Sequence, residues 1–201
     1  MTSLFSWRGI DDPDRLDHAA LSLAEDGLSG HGVSLTPSYA SSWQLEVGAG
    51  WITRSLRVSV QGRGWGRTLD LTHDGGGGWS ADASSWGETS LDAPGLQEPD
   101  SLRSAVDCDL GLCPVTNTMP IRRLGLLDQA VPDTAFVMAW VEMPSLRVLR
   151  SDQVYATGPA STGTSVRYAS SDGAFQSELT VDDDGIVVDY PQLARRIRVE
   201  D

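Results

Sequence analysis

The chain has 201 residues, with 28 acidic and 15 basic side chains, a net charge of −13, 21 Gly, 10 Pro and seven Trp. That length supports one well-formed core or at most two small ones, and the composition favours an all-β domain. The acidic balance repels phosphate backbones and anionic leaflets, which argues against nucleic acid and against electrostatic membrane docking.

All fifteen basic residues are Arg. We read this mainly as coding bias, although Arg tolerates burial in ion pairs better than Lys. No basic-then-apolar leader opens the chain, and no run reaches membrane-spanning length, so a cytoplasmic location without membrane insertion is expected.

Residues 15–35 fit a helix or a strand equally well, because glycines at 27, 30 and 32 crowd the end of an Ala-Leu-rich run. From Tyr39 the reading is clear: Tyr39, Ser41, Trp43, Leu45 and Val47 alternate with small or polar residues, as in a half-buried strand. The strand from Trp51 to Val60 places Ile52, Leu56, Val58 and Val60 on one face. Arg54 shares that apolar face, whereas Arg57 lies on the wet one.

Arg67–Thr72 returns as a strand. Residues 73–101 read as a long turn, with Trp79 and Trp86 as anchors or as the flanks of an opening. The glycine run at 75–78 lacks the Lys and following helix of a phosphate loop. From Ser104 to Leu112, Val106, Cys108, Leu110 and Leu112 face one way and Asp107 and Asp109 the other. Thr116, Asn117 and Thr118 are then all able to cap a short helix with Pro120 in its first turn. Ile121, Leu124, Leu126 and Leu127 cover most of that helix, so it should be buried. At roughly eight residues it would not persist alone in water.

The remainder reads as a meander. Strands are expected at Phe136–Val141, Leu146–Arg150, Gln153–Ala156, Ser165–Ala169, Phe175–Val181 and Ile186–Tyr190. A Ser-Ser-Asp-Gly turn lies at 170–173 and an Asp-Gly hairpin at 182–185. Leu193–Arg198 reads as a basic tail. No repeat or linker breaks the chain, so a single domain over 1–201 is expected.

The chemistry concentrates in charges on apolar faces. Arg54, Arg122 and Arg123 need partners, and Asp107 and Asp109 stand nearby in sequence, because an unpaired buried guanidinium costs several kcal/mol. One reading is an ion-pair network that pins the helix. The other is a polar end to an apolar cavity, where Arg holds a phosphate, sulfate or carboxylate and Thr116 and Asn117 bond sugar hydroxyls. Asp107 and Asp109 also form a candidate acid/base pair for glycoside hydrolysis. Trp43, Trp51, Trp140, Tyr155, Tyr168 and Tyr190 suit core packing, or an acyl chain or sugar face.

Cys108 and Cys113 are expected to be free and packed, and the three histidines to lie on the surface. No metal site or cofactor is expected. No Gly-x-Ser-x-Gly elbow is present, and the Asp182–Asp184 run reads as a solvated turn.

At these residues the chain resembles a bacterial family named for glycolipid binding. The matching segments are Trp51-Ile-Thr-Arg54, Asp107-Cys-Asp-Leu110, Thr116-Asn-Thr-Met-Pro-Ile-Arg-Arg-Leu124, Gln153-Val-Tyr155, Arg167-Tyr-Ala-Ser170 and Val187-Val-Asp-Tyr-Pro191. The resemblance implies a spiral β-roll of antiparallel strands wrapped around a single short helix, and strands rather than a helix over 15–35. It also implies a likeness in shape to periplasmic lipoprotein carriers. Two departures stand out: Ser104-Ala105 stands where members tend to have Gly-Cys, and an acidic loop at 92–101 is enlarged.

The expected function is therefore non-enzymatic binding of a lipid or glycolipid in the roll. Arg54, Arg122, Arg123, Asp107, Asp109, Thr116, Asn117 and Tyr190 are the candidate ligand residues. The alternatives are a glycolipid-acting hydrolase using Asp107 and Asp109, or a scaffold whose charged core is structural. Exposed strand edges also allow a homodimer.

Overall fold

The computed structural model describes residues 1–159, 164–170, 173 and 175–198. A first antiparallel meander comprises β1 (Thr2–Gly9), β2 (Leu16–Leu23), β3 (Leu28–Leu35), β4 (Tyr39–Gly48), β5 (Ile52–Gly62), β6 (Trp65–His73) and β7 (Trp79–Gly87). A second comprises β10 (Thr134–Val141), β11 (Arg147–Thr157), β12 (Thr164–Ser170), β13 (Gln176–Val181), β14 (Val187–Tyr190) and β15 (Ala194–Arg196). Two short strands run parallel to their neighbours: β8 (Gly95–Leu96) beside β11, and β9 (Asp107–Leu110) beside β10.

The meanders join where β1 pairs with β15, Trp7 opposite Arg196. One sheet thus runs from β7 through β1 and β15 to β9 without closing into a barrel. It curls until its far end returns to β5, where the Thr53 amide donates to the Val106 carbonyl at 3.1 Å and the Cys108 amide donates to Thr53 Oγ1 at 3.1 Å.

Helix α1 (Thr118–Leu124) lies inside this curl, entered through a 3-10 turn at Pro114–Asn117 and ended by Gly125 at φ 66°. It joins two apolar clusters. Met119 belongs to the cluster that includes Trp7, Leu56 and Leu71, and Ile121 to the one that includes Tyr155, Leu179 and Val187. Both residues are 0% exposed, and each such burial contributes roughly 1.5–3 kcal/mol. Seven residues would not hold a helix in water; the wrap does. The helix thus occupies the interior of the roll.

Residues 15–35 form β2 and β3, with the glycines as the reason a strand suits them. A Cβ on Gly32 would fall 2.5 Å from the Trp43 ring, and one on Gly30 would fall 2.5 Å from Leu21. The sheet thus packs large inward side chains of its neighbours directly against the β3 backbone.

Several expectations are corrected. Arg54 is exposed, not inward: Glu46 pairs with Ser55 but Val47 pairs with Thr53, so Arg54 is the extra residue of a bulge. The bulge resets the alternation, burying Trp51 and Thr53 on the side of Leu56 and Val58. The stretch 73–101 is not one long turn, because β7 pairs along all of β6. Trp79 is buried there, its indole donating to the Ala105 carbonyl at 2.9 Å, while Trp86 is 56% exposed. The strand expected over 104–112 is confined to Asp107–Leu110, and Trp51 sits in a 3-10 turn rather than in a strand.

Leu146–Arg150 and Gln153–Ala156 are halves of one strand, β11. The basic tail contains β15, held by pairs on both sides. His73 is buried against Trp79 with ring centroids 4.7 Å apart, whereas His18 and His31 are exposed. Of the Ser-Ser-Asp-Gly turn, residues 171 and 172 lie outside the described residues. Both cysteines are free, as expected, and Cys108 is fully buried.

Candidate functional site

Strand β9 and the start of α1 bring the charged residues together, and they separate into two groups. The first is a corner under the C-terminal end of α1. Gly50 and Trp51 both take left-handed backbone angles, φ 71° and φ 60°, which turns their carbonyls toward Arg123. Its Nε donates to Gly50 O at 3.1 Å, and its Nη2 donates to Trp51 O at 2.6 Å and to Asp107 Oδ1.

Asp107 is fully buried. Burial pushes its carboxyl up to about 6 against the opposing pull of the Arg123 guanidinium. One atom of each partner, Asp107 Oδ2 and Arg123 Nη1, is buried without a bond among the described residues. Arg122 stacks over Trp51 with its guanidinium carbon 5.1 Å from the ring centroid. Arg54 stands apart, beside a separate recess of about 440 Å³ shared with His73 and Asp74.

The second group surrounds Asp109. Thr116 Oγ1 donates to Asp109 Oδ1 at 2.8 Å, and Gln153 Nε2 donates to Oδ2 at 2.7 Å. Tyr155 donates to Gln153 Oε1 at 3.2 Å and accepts from Asn117 Nδ2 at 2.9 Å. Neither Thr116 nor Asn117 caps α1 with its side chain, as the sequence led us to expect. Thr118 does not either: its hydroxyl donates to Gly185 O at 3.3 Å. The preceding 3-10 turn supplies the helix entry, which frees the three side chains to tie α1 to β9, β11 and the turn before β14.

Burial raises the Asp109 carboxyl above its ordinary range, partly offset by Gln153 and Thr116. Burial, with the nearby Asp109 charge adding to it, also holds Tyr155, Tyr168 and Tyr190 above the ordinary phenol value. These three are therefore neutral hydroxyls around one carboxylate.

This second group opens outward. Asp109, Asn117, Gln153, Tyr168 and Tyr190 form the floor of a groove of about 1040 Å³. Its walls include Leu112, Trp140, Met143, Phe175 and Leu193, and its rim includes Glu142, Arg150 and Asp152. The recesses on the outer sheet face are smaller, at about 790 and 500 Å³. Tyr168 meets Tyr155, Phe175 and Tyr190 at ring-centroid distances of 5.2, 5.9 and 5.9 Å, which gives one end of the groove an aromatic lining.

Of the eight candidate residues, Asp109, Asn117 and Tyr190 thus meet in the groove, with Thr116 directly behind Asp109. Asp107 and Arg123 pair in the corner with Arg122 alongside, and Arg54 joins neither group. Sequence reasoning missed Gln153 as a member of the network and Phe175 as a groove wall. The signal for Gln153 was its i,i+2 spacing from Tyr155 on one face of the expected strand Gln153–Ala156. Among the described residues no group of three or more His, Cys, Asp or Glu could hold a metal ion. No described helix is long and apolar enough to cross a membrane.

A family model described as "Putative glycolipid-binding" matches residues 4–196. Among solved structures, the crystal structure of a DUF1089 family protein from Pseudomonas aeruginosa, at 1.80 Å resolution, is similar with a TM-score of 0.69. The two are 27% identical over 90% of this chain and 92% of that one. No curated protein matches the chain.

Proposed function

Because this chain belongs to the family described as glycolipid-binding, we propose that it holds a lipid or glycolipid, without turning it over, in the groove above Asp109. The observation that carries this is the pairing of a polar floor with apolar and aromatic walls in one recess of about 1040 Å³. Ligand sites are mostly apolar concavities with a few convergent polar groups, and this recess has that character. Asp109, Asn117, Gln153 and Tyr190 are proposed to meet the head group, with Thr116 positioning Asp109. Trp140, Phe175 and Leu193 would take the apolar part.

Asp107, Arg122 and Arg123 are assigned structural roles. The hydrolase alternative needs two carboxylates on the substrate, and Asp107 is fully buried against Arg123. The protein is proposed to work in the cytoplasm as a single domain over 1–201, where its free thiols stay reduced.

The test is native mass spectrometry of the full chain purified from a glycolipid-producing bacterium, with organic extraction of whatever co-purifies. The expected result is a discrete added mass that extracts as a lipid and is lost in Trp140→Ala while the fold survives. A bound lipid retained in full by that variant would move the site out of the groove. A clean unliganded mass, with no uptake of added glycolipid, would overturn the binding reading.

A further inference from the structure

The charges around the groove bear on which head groups it accepts. Among the described residues three carboxylates line it, Asp109, Glu142 and Asp152, with one guanidinium, that of Arg150. That guanidinium is committed: Nε and Nη2 donate to the two oxygens of Asp152 at 2.8 and 2.5 Å, and Nη1 donates to the Ser101 carbonyl at 3.0 Å. The arginines that would suit a phosphate or sulfate lie elsewhere. Arg123 is spent on Asp107 and two carbonyls, Arg122 lies over Trp51, and Arg54 borders the recess beside His73. Asp152 is matched by Arg150 and Glu142 lies 3.9 Å from Arg147, so the uncompensated charge is that of Asp109, and an anionic head group would meet it on the floor of a chain whose net charge is already −13.

The floor also has a direction. Asn117 donates to Tyr155, Tyr155 donates to Gln153, and Gln153 and Thr116 donate to Asp109. The shortest donor contacts of Gln153 and Thr116 end on this one carboxylate, which sets it as an acceptor. A carboxylate has about four acceptor sites, and the protein's bonds use one at each oxygen. The remainder suits hydroxyl donors. Tyr168 and Tyr190, held neutral, add hydroxyls that both donate and accept. Trp140 and Phe175 remain as apolar wall for the chain attached to that head group.

We propose that the groove selects an uncharged polyol head group, a neutral sugar on an alkyl or acyl chain, and discriminates against the same lipid carrying a phosphate, sulfate or carboxylate. This rests on the groove being the lipid site. Asp109 is its specificity-determining residue, acting by charge and by accepting hydroxyl bonds, and the Asp152–Arg150 pair keeps the rim's one cation occupied.

The full chain is titrated with four probes of one chain length below their micelle concentrations: an alkyl glucoside, the matching alkyl glucuronide, the alkyl phosphate and the plain alkanol. Heat or Trp fluorescence gives the affinities. The expected order places the glucoside at least tenfold tighter than the glucuronide, the phosphate and the alkanol. Asp152→Asn, a change on a side chain 40% exposed, frees Arg150 and should bring the glucuronide within about threefold of the glucoside. Asp109→Asn should narrow the same gap by weakening the glucoside.

Equal binding of the glucoside and its charged counterparts, or tighter binding of an anion, overturns the head-group assignment and leaves the groove standing. Equal binding of glucoside and alkanol likewise shows that only the chain is read. If none of the four binds, the groove reading falls and this inference with it.

Discussion

Asp107 and Asp109 leave the same strand two residues apart, yet their surroundings differ completely. Asp107, fully buried, faces a guanidinium fixed by two backbone carbonyls. Asp109 faces an amide and a hydroxyl, on the floor of a groove. The charge of the partner accounts for the difference. A cation neutralises the first carboxylate and binds the helix to the turn at Gly50–Trp51, making a joint. Neutral donors orient the second without cancelling its charge, leaving it able to act on something else. Identical side chains on one strand thus take a paired, buried role and an unpaired one at a groove, according to what the next layer presents.

The contrast can be broken most forcefully at Arg123. Arg123→Ala leaves the buried Asp107 carboxylate without its partner and should cost roughly 3–5 kcal/mol at neutral pH, measured by chemical denaturation. Lipid affinity of the fraction that stays folded should not change. A variant as stable as the parent would mean that the corner is no joint.

A second test uses pH. Asp107 titrates at about 6 in the folded chain against an ordinary value of 3.8. Between those values the folded state keeps a proton that the unfolded state has released, so stability falls as pH rises from about 4 to about 6 and then levels off. The shift corresponds to about 3 kcal/mol. Asp107→Asn should remove that share of the slope, and an unchanged slope would assign it to other carboxyls.

The smallest effect belongs to the groove. Thr116→Val deletes one donor to Asp109 and should cost about 2 kcal/mol. Unlike Arg123→Ala, it should also weaken lipid binding, because the carboxylate loses its aim. If only stability moves, Asp109 belongs with Asp107 after all.

Much of this architecture is legible in the sequence wherever a polar group conflicts with its surroundings. Arg122-Arg123 on an otherwise apolar helix required both a wrapping shell and a partner, and Asp107 is that partner. The bulge at Arg54 was not legible, because strict alternation carries the Arg inward and nothing local marks the slip. Nor was β7, a strand with little apolar signal. Cross-strand hydroxyl pairs, Thr68–Ser84 and Thr72–Ser80 at 2.7 Å each, knit its outer face to β6, and such pairs follow from register rather than from hydrophobicity. The helix entry misled for a related reason. Thr116, Asn117 and Thr118 are all competent caps, and only the preceding 3-10 turn releases them for other bonds. The groove floor draws on β9, β11, β12 and β14, a conjunction set by topology that no short stretch of sequence encodes.

The junction of β1 with β15 has a kinetic side. During synthesis the edge of β1 is complete at Gly9, but its partner begins at Ala194. At translation rates of roughly 5–20 residues per second, that edge stays unpaired for on the order of ten to forty seconds. For that interval the nascent first meander carries a bare strand edge beside Leu4, a side chain 82% exposed even in the finished fold. Three residues near the C-terminus, Ala194 to Arg196, act as the clasp. Chaperone demand and inclusion-body formation should therefore track how soon β15 docks, more than how well either meander folds on its own.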